Sequence, residues 1–352
     1  MIRFGIIGAG RVVSPRYVDV FTQELKDTSV VAVCDLVREK AVDVSARLGA
    51  EVAVDKEALL KRSDIDAVII ASESGKHFEH AKQALLAGKH VVVEKPPCML
   101  PAQLDELVAL ARTQQRMFAP IFQNRYNPAM RAVKQAAQAG RFGKIVLATF
   151  RLRWCRYQDY YEDGWHGTWA MDGGVINQQA IHHVDALQWV CGPVSEVTAF
   201  KANALNKLEA EDTMIASLRF ANGALGSMEA TTAARPKDFE ASLSIVGEKG
   251  LVVIGGIALN KIETWDFIER LPEDDTISLT HSQEVPTGYG LSHGPLLQDI
   301  VSRLNDGSLE PPITPESCRP TIELVHAVYR SIEDRMPVQL KDSPLSVRLG
   351  RG

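Results

Sequence analysis

Short apolar runs alternate with amphipathic segments along the first 122 residues of the chain. Each run is rich in Val, Ile or Ala and is bounded by glycine, proline or polar residues, which is typical of a strand buried on both faces of a sheet. Strands are predicted at 2–7, 30–34, near 52 and at 67–71, 91–93 and 117–122, and helices at 37–48, 56–62, 77–87 and 101–115. This alternation predicts a doubly wound parallel sheet of the α/β class.

The pattern changes after residue 122, where a predicted helix at 128–139 precedes longer strands in which apolar and polar residues alternate. The clearest strands are predicted at 145–153, 213–220, 224–231 and 241–246, with turns at Asn222-Gly223 and Glu248-Lys249-Gly250. We therefore predict one domain at 1–122 and a second, α+β domain at 123–352, built on a large, mostly antiparallel sheet. Pro272–Asp275 is predicted to be a solvated loop, and helices at 295–305 and 315–331 to pack back onto the body.

The composition excludes several classes of partner. A chain of 352 residues with a formal net charge of −5 does not suggest nucleic acid or an anionic membrane as a ligand. Its apolar runs are much shorter than the roughly 20 residues that span a bilayer, and it begins directly with a strand, so we expect a cytoplasmic protein. The five cysteines are scattered and never form Cys-x-x-Cys, which predicts free thiols and no zinc site.

A glycine turn joins the first strand to a predicted helix. Gly8 allows the tight turn, and Gly10 lets the backbone approach a pyrophosphate at the helix N-terminus. Val13 stands where the G-x-G-x-x-G pattern has its third glycine, so an ordinary strand-to-helix turn is the alternative. Asp35 ends the second strand, where an acidic residue binds the adenosine ribose and repels a 2′-phosphate, which favours NAD over NADP. Arg38 is close enough in sequence to weaken that preference.

Two ionisable residues, Glu94 and Lys95, follow the strand formed by Val91, Val92 and Val93. Pro96 ends this strand because it has no backbone N–H for the ladder. Ligands bind at the carboxyl ends of strands in open α/β sheets, so Lys95 is a candidate functional residue. The alternative is a solvated strand-end lysine paired with Glu94.

A third group of polar residues is predicted on a helix from Val175 to Val190 that stops at Gly192-Pro193. Gln178, His182 and Asp185 fall at i, i+4 and i+7 and form one stripe of that helix. Hydrogen-bonding residues without lysine or arginine indicate a cavity wall more than a solvated face.

Gly8-x-Gly10, Asp35, Glu94-Lys95-Pro96 and the Gly173-Gly174 run ending in His182 and Asp185 resemble the glucose-fructose oxidoreductase and inositol dehydrogenase (Gfo/Idh/MocA) family over nearly the whole chain. Many members carry an aspartate where this chain has Gln178. The Asn177-Gln178 pair is similar to the branch that oxidises the 3-hydroxyl of UDP-N-acetylglucosamine or its uronic acid. The further motifs shared with that branch are Arg153-Trp154-x-Arg156, Tyr160-Tyr161, Gly167-Thr168-Trp169 and Tyr289-Gly290-x-Ser292-His293-Gly294.

The resemblance implies an N-terminal Rossmann domain that binds NAD and a second domain for the sugar and for self-association into a homodimer or homotetramer. It implies cofactor contacts from Gly8, Gly10, Arg11, Val12, Asp35, Ser72, His77, Glu94, Lys95, Gln123 and Trp165. It implies substrate contacts from Lys95, Arg125, Arg153, Arg156, Tyr160, Tyr161, Asn177, His182 and His293. The arginines suit a diphosphate, but each is equally a candidate for a structural ion pair.

Oxidation of a secondary alcohol removes a proton from oxygen while a hydride leaves carbon for the nicotinamide. No metal-ligand cluster is evident in the sequence, so side chains are expected to manage the oxygen. Lys95 can hydrogen-bond it, and His182 is the candidate base because its pKa is naturally near neutrality. Gln178 cannot keep the lysine charged as an aspartate would, so Lys95 stays open as the base.

Two other functions are compatible with the sequence. The first is a dehydrogenase of a free cyclitol or monosaccharide, which uses the same chemistry on another substrate. The second is a cofactor-binding regulator without catalysis, which the presence of both Lys95 and His182 disfavours.

Overall fold

The structure is a computed structural model that describes residues Met1–Arg351. The chain divides into two compact units, each with its own sheet. The first unit contains Met1–Gln123 and Ser292–Arg319, and the second contains Asn124–Leu291 and the chain from Pro320 onwards. We predicted that everything after residue 122 belongs to the second domain, and Ser292–Arg319 departs from that prediction.

The first unit is built on a six-stranded parallel sheet in the order β3-β2-β1-β4-β5-β6, which confirms the predicted fold. Val91, Val92 and Val93 of the fifth strand are at most 1% exposed, because both neighbours and both faces are covered. The strands are β1 (Ile2–Ile7), β2 (Thr28–Cys34), β3 (Glu51–Val52), β4 (Ala67–Ile70), β5 (His90–Val93) and β6 (Phe118–Pro120). The helices between them are α1 (Arg38–Leu48), α2 (Lys56–Leu60), α3 (His77–Leu86) and α4 (Pro101–Gln114).

The segment after the glycine turn differs from the regular helix that we predicted. It contains two π-helical turns, Val13–Tyr17 and Val20–Glu24. Pro15 has no N–H to donate and its ring crowds the preceding turn, so a regular ladder cannot run through it. The backbone N–H of Tyr17 instead bonds the carbonyl of Val12, five residues earlier.

The second unit is built on an eight-stranded sheet in the order β13-β12-β11-β7-β10-β9-β8-β14. All neighbouring strands are antiparallel except β7 and β10, as predicted for a mostly antiparallel sheet. Asn222-Gly223 turns the chain between β9 and β10, and Glu248-Lys249 between β11 and β12. The strands are β7 (Ile145–Arg153), β8 (Val194–Ala202), β9 (Thr213–Phe220), β10 (Leu225–Thr231), β11 (Glu240–Gly247), β12 (Gly250–Gly255), β13 (Lys261–Phe267) and β14 (Val338–Gln339).

Burial alternates along this sheet, so one face is packed and the other is open. In β9, Met214, Ala216, Leu218 and Phe220 are at most 5% exposed, while Ile215 is 53% exposed. The remaining helices are α5 (Pro128–Gln138), α6 (Val175–Gln178), α7 (Ile181–Cys191), α8 (Ile277–His281), α9 (His293–Asn305) and α10 (Pro315–Asp334).

One prediction in the second half is wrong, and a second is correct only in part. The single helix at 175–190 is broken after Gln178 into α6 and α7, with the N–H of Ala180 bonded to the carbonyl of Val175. Pro272–Asp275, predicted to be a solvated loop, forms a short 3₁₀ helix in which Pro272, Glu273 and Asp275 are exposed. Asp274 within it is buried, because Arg141 donates two hydrogen bonds of 2.8 and 2.6 Å to its carboxylate.

The return of α9 to the first unit has a simple cause. Its apolar stripe, Leu296, Leu297, Ile300 and Val301, is fully buried. The rest of the first unit covers this stripe of α9. Gln298, also on α9, accepts a hydrogen bond from the backbone N–H of Lys26. Over Met1–Arg351, no helix combines the length and the apolar character that crossing a bilayer requires.

Candidate active site

The glycine turn of the first unit has the geometry of a nucleotide-binding turn. Gly8 has a φ of +96°, and a Cβ there would lie 2.5 Å from the carbonyl of Ala71, so only glycine fits. A Cβ at Gly10 would meet nothing within 4 Å. The space above Gly10 is therefore open for a ligand that approaches the backbone, which fits the pyrophosphate of a dinucleotide. Val13, in the place of the third glycine, is fully buried.

Asp35 lies beside this turn at the end of β2. Its Oδ2 accepts a 2.7 Å hydrogen bond from the N–H of Ala9, and its Oδ1 accepts one of the same length from Val37. These bonds orient the carboxylate and fix the turn against the second strand. A carboxylate has about four lone-pair sites, so both oxygens keep capacity for ribose hydroxyls.

Glu94 is a buried anion directly before Lys95. The Tyr17 hydroxyl donates a 2.7 Å hydrogen bond to its Oε1, and Nε2 of His293 lies 3.5 Å from the same oxygen. Burial alone would favour the neutral acid. The hydrogen bond and charge of His293, with the Tyr17 hydroxyl and the Lys95 ammonium, nevertheless lower the pKa of Glu94 to about 2. The Glu94 carboxylate therefore links Tyr17 and His293 to the end of β5, directly before Lys95.

His293 was expected among the substrate contacts of the second domain. It lies instead at the start of α9 in the first unit, is 1% exposed, and packs edge-on against Tyr17 at 5.7 Å between ring centroids. The sequence could not reveal this position, because His293 and Glu94 are about 200 residues apart.

His77 ties two strand ends of the first unit together. Its Nδ1 lies 2.7 Å from the carbonyl of Pro96 and its Nε2 lies 3.0 Å from that of Ser72, and the side chain is 1% exposed. Burial lowers the pKa of His77, although both carbonyls oppose this shift. The Ser72 hydroxyl lies 2.9 Å from Nδ1 of His80. His77 thus holds the turn after β4 against the turn that follows Lys95.

Arg125 and Asp185 form a buried, two-pronged ion pair in the second unit. Arg125 donates from Nε at 2.8 Å and from Nη2 at 2.6 Å, and Thr321 donates to the same carboxylate at 3.0 Å. Both charged side chains are at most 8% exposed. The pair anchors Arg125 to helix α7 at Asp185, three residues after His182.

The break between α6 and α7 changes the predicted stripe. Gln178 lies on α6, whereas His182 and Asp185 lie on α7, and all three are at most 8% exposed. The side-chain amide of Asn177 donates a 2.6 Å hydrogen bond to the carbonyl of Asp172, which fixes the start of this region. The three side chains are thus positioned by two short helices and not by one continuous helix.

The predicted aromatic residues form one cluster. Tyr160 packs against Tyr161 and His166, with ring centroids 5.1 and 4.2 Å apart, and Trp165 stacks on His166 at 3.6 Å. The Tyr161 hydroxyl bonds that of Thr232 at 2.7 Å, and burial raises the pKa of Tyr161 to about 12. These tyrosines are therefore neutral hydrogen-bonding groups at physiological pH.

Arg153 and Arg156 each have a carboxylate partner. Arg153 on β7 bonds Glu229 of β10 at 2.6 Å and lies 3.3 Å from Glu240 of β11, so it links three strands. Arg156 donates to Asp238 at 2.9 Å and lies over the Trp154 and Tyr160 rings at 5.2 and 5.6 Å. Arg156 is thus held beside the aromatic cluster.

A buried carboxyl group, which no sequence pattern predicted, lies beneath α6. Glu211 is fully buried, and its Oε1 accepts hydrogen bonds from the N–H of Ile176 and the hydroxyl of Tyr329. Burial raises the pKa of Glu211 to about 8. A Cβ on Gly174 would lie 2.3 Å from this carboxyl group, which explains the second glycine of the Gly173-Gly174 run.

Among residues Met1–Arg351 no group of three or more histidine, cysteine or acidic side chains is arranged to hold a metal ion, and none of the five cysteines forms a disulfide. The candidate residues of the first unit are Gly8, Gly10, Arg11, Val12, Asp35, Ser72, His77, Glu94, Lys95, Gln123 and His293. Those of the second unit are Arg125, Arg153, Arg156, Tyr160, Tyr161, Trp165, Asn177, Gln178 and His182.

Comparison with known proteins defines the class. Residues 2–122 match the family model described as "Oxidoreductase family, NAD-binding Rossmann fold", and residues 130–253 match the "GFO/IDH/MocA C-terminal domain". An inositol 2-dehydrogenase of Rubrobacter xylanophilus is 30% identical over 262 residues, which are 72% of this chain and 71% of that protein. The chain belongs to the Gfo/Idh/MocA oxidoreductase family and is an NAD-dependent sugar dehydrogenase.

Two solved structures resemble the chain over nearly its whole length. The WlbA dehydrogenase from Chromobacterium violaceum, in complex with NADH and UDP-GlcNAcA, is 32% identical with a TM-score of 0.88 and coverage of 96% of this chain and 95% of that one. The WlbA dehydrogenase from Bordetella pertussis, with the same two ligands, is 34% identical with a TM-score of 0.88 and coverage of 96% and 97%. An uncharacterized oxidoreductase of Synechocystis is 33% identical over 214 residues, 56% of this chain and 57% of that protein.

Proposed function

We propose that this enzyme uses NAD to oxidise the 3-hydroxyl of a UDP-N-acetylhexosamine or of its uronic acid. The observation that carries the proposal is the similarity to the two WlbA dehydrogenases, each of which binds NADH and UDP-GlcNAcA and is at least 32% identical over 96% of this chain. The Asn177-Gln178 pair supports the same branch of the family.

The cofactor is assigned to the first unit. The open space above Gly10 suits the pyrophosphate, and Asp35 suits the adenosine ribose while its charge repels a 2′-phosphate. Bound NAD supplies the hydride acceptor. Arg11, Val12, Ser72 and Gln123 are proposed to contact the cofactor from the first unit, and Trp165 from the second.

Lys95 and His182 are proposed to act on the oxygen of the reacting hydroxyl. The ammonium of Lys95 donates a hydrogen bond and stabilises the negative charge that develops on this oxygen. His182 accepts the proton, since a neutral imidazole is available near physiological pH. Gln178 is proposed to orient the substrate through its side-chain amide. Unlike the aspartate of other family members, it has no negative charge that would favour the protonated form of Lys95. Deprotonation by Lys95 is the competing assignment.

Recognition of the diphosphate is proposed for the arginines of the second unit. Arg156 is the strongest candidate, because Asp238 and two aromatic rings hold its guanidinium in place. Arg125 and Arg153 are weaker candidates, because Asp185 and Glu229 already hold their guanidinium groups.

A substrate panel tests the proposal. Purified enzyme is mixed with NAD and, in separate reactions, UDP-N-acetylglucosamine, its uronic acid, UDP-glucose, myo-inositol, glucose and a glucoside, and NADH is followed at its absorbance maximum. We expect turnover on one or both UDP-N-acetyl sugars and a 3-keto product. Turnover confined to a free sugar or cyclitol would contradict the proposal.

The second candidate function is oxidation of a free sugar or cyclitol. The similarity to the inositol 2-dehydrogenase of Rubrobacter xylanophilus favours it, but the match covers 72% of this chain, against 96% for the WlbA dehydrogenases. A matched comparison of myo-inositol and UDP-N-acetylglucosaminuronate at equal concentration separates the two, because only the second offers a diphosphate to Arg156.

A further inference from the structure

The second unit contains a cavity of about 490 Å³ whose lining no part of the proposed reaction uses. It lies beside β8, the C-terminal end of α10 and the chain around Arg348. Its volume is within the range of about 300–1,000 Å³ that is typical of small-molecule sites.

Three cations line this cavity: Lys201, Arg335 and Arg348. The Nζ atom of Lys201 lies 5.1 Å from the ring centroid of Trp169, and the guanidinium carbon of Arg348 lies 5.7 Å from it, so the two charges are less than 11 Å apart. Neither they nor Arg335 forms an ion pair with a carboxylate in the described part of the chain. Burial lowers the pKa of Lys201; the nearby Glu211 opposes this shift, and the charge of Arg348 adds to it.

The neighbouring carboxyl groups offset these cations only in part. Glu333 also lines the cavity and adds one negative charge, and its two oxygens accept hydrogen bonds from Ser346 and Val347 of the C-terminal segment. Glu211 lies behind Tyr329, and burial raises its pKa to about 8, so it is mainly uncharged at neutral pH. The cavity therefore keeps an excess of positive charge in a chain whose net charge is −5.

The rest of the lining is mostly apolar. Phe200 is 69% exposed and Met336 is 55% exposed, and with Ile332 they offer an apolar surface beside the cations. Tyr329 on the opposite wall is fixed, because its hydroxyl accepts a 2.8 Å hydrogen bond from the N–H of Gly174 and donates to Glu211. A ligand that combines an oxyanion with a ring or other apolar body matches both parts of this lining.

We propose that this cavity is a second binding site, distinct from the one that oxidises the sugar, and that it takes a small organic oxyanion. Lys201, Arg335 and Arg348 hold the phosphate or carboxylate group, and the body of the ligand contacts Phe200, Ile332 and Met336. This site stands independently of which sugar the enzyme oxidises.

Titration calorimetry with the full-length protein tests this site. The probes are phenyl phosphate, benzoate and inorganic phosphate, with NADH present to occupy the cofactor site. We expect both aromatic oxyanions to bind more tightly than inorganic phosphate. Lys201→Met and Arg348→Gln should each weaken phenyl phosphate by about ten-fold, the loss expected for one charge-assisted contact. Arg335 is exposed, so Arg335→Gln should fold normally, and we expect it to weaken phenyl phosphate as well.

Arg330→Gln is the matched control. Arg330 lies on α10 next to the lining residue Tyr329, but it is paired with Asp334 and does not line the cavity. It should bind phenyl phosphate as the unchanged protein does. The proposal would be overturned if phenyl phosphate did not bind at millimolar concentration, or if the Lys201, Arg335 and Arg348 variants bound it as tightly as the unchanged protein. It would also be overturned if Lys95→Met abolished binding and Lys201→Met did not. Absence of binding together with a smaller assembly in Arg335→Gln would assign the cavity to contact between copies of the chain and would also overturn it.

Discussion

The hydroxyl of Tyr17 donates a 2.7 Å hydrogen bond to the buried carboxylate of Glu94. Tyr17 belongs to the π-helical turn after the glycines, and Glu94 precedes the candidate catalytic Lys95, so this bond joins the cofactor side of the first unit to the catalytic strand end. Both side chains are at most 5% exposed. The bond therefore combines a structural role with a role in positioning Lys95.

Tyr17→Phe should destabilise the protein because it removes a hydrogen bond from a buried charge. We expect the free energy of unfolding to fall by about 1.5–3 kcal/mol, measured by urea denaturation. Tyr157→Phe is the control, since Tyr157 is 53% exposed and its hydroxyl bond to Pro236 is long, at 3.4 Å. Equal effects of the two substitutions would contradict the importance assigned to the Tyr17–Glu94 bond.

Lys95→Met and His182→Asn should each lower turnover by about two orders of magnitude or more, since each removes a group that manages the proton of the alcohol. NADH binding, followed by fluorescence, should be retained in both variants. His281→Asn is the control because His281 lies on the exposed α8 helix, remote in sequence from the candidate site. Near-normal turnover in both Lys95→Met and His182→Asn would refute the catalytic assignment.

Arg125→Lys should be strongly destabilising although it keeps the charge. Lysine cannot reproduce the two-pronged contact with Asp185, and a disrupted buried pair costs about 3–5 kcal/mol. The double variant Arg125→Met/Asp185→Leu should be less damaging than Arg125→Met alone, because it leaves no unpaired buried charge. Arg131→Lys, at an exposed position on α5, should change the unfolding free energy little. A double variant that is worse than the single one would contradict this explanation.

Glu211→Gln should make the protein more stable at alkaline pH. The pKa of Glu211 is raised from 4.5 to about 8 in the folded state, so the folded protein holds this proton more tightly than the unfolded chain does. Its contribution to stability is complete below pH 4.5 and is lost as the pH rises through 8, by up to about 1.4 kcal/mol per pH unit.

Thermal unfolding of Glu211→Gln and of the unchanged protein between pH 5 and pH 9 measures this effect. Glutamine can still accept the bonds from Ile176 and Tyr329 with its amide oxygen, so the variant should gain on the unchanged protein as the pH rises. Glu310→Gln, at an exposed position, should show no such divergence. Parallel pH profiles for Glu211→Gln and the unchanged protein would show that Glu211 is not the group responsible.

The sequence by itself determined the parallel sheet of the first unit and most element bounds. Strands such as β1 and β7 begin and end where the apolar pattern predicts, because runs of β-branched residues and glycine turns act locally. It also determined the glycine turn with Asp35 and the position of Lys95 at a strand end, since a parallel sheet places all its carboxyl ends at one edge.

The tertiary structure alone decided which distant groups meet. Glu94 pairs with Tyr17 and His293, Asp274 with Arg141, and Glu211 lies beneath Gly174, although nothing in the local pattern links these positions. It also decided that α9 packs on the first unit. An amphipathic pattern predicts that one face of a helix is buried, but it does not identify the element that covers this face. Periodicity acts over a few residues, whereas burial of a charge depends on partners that the folded chain supplies from far along the sequence.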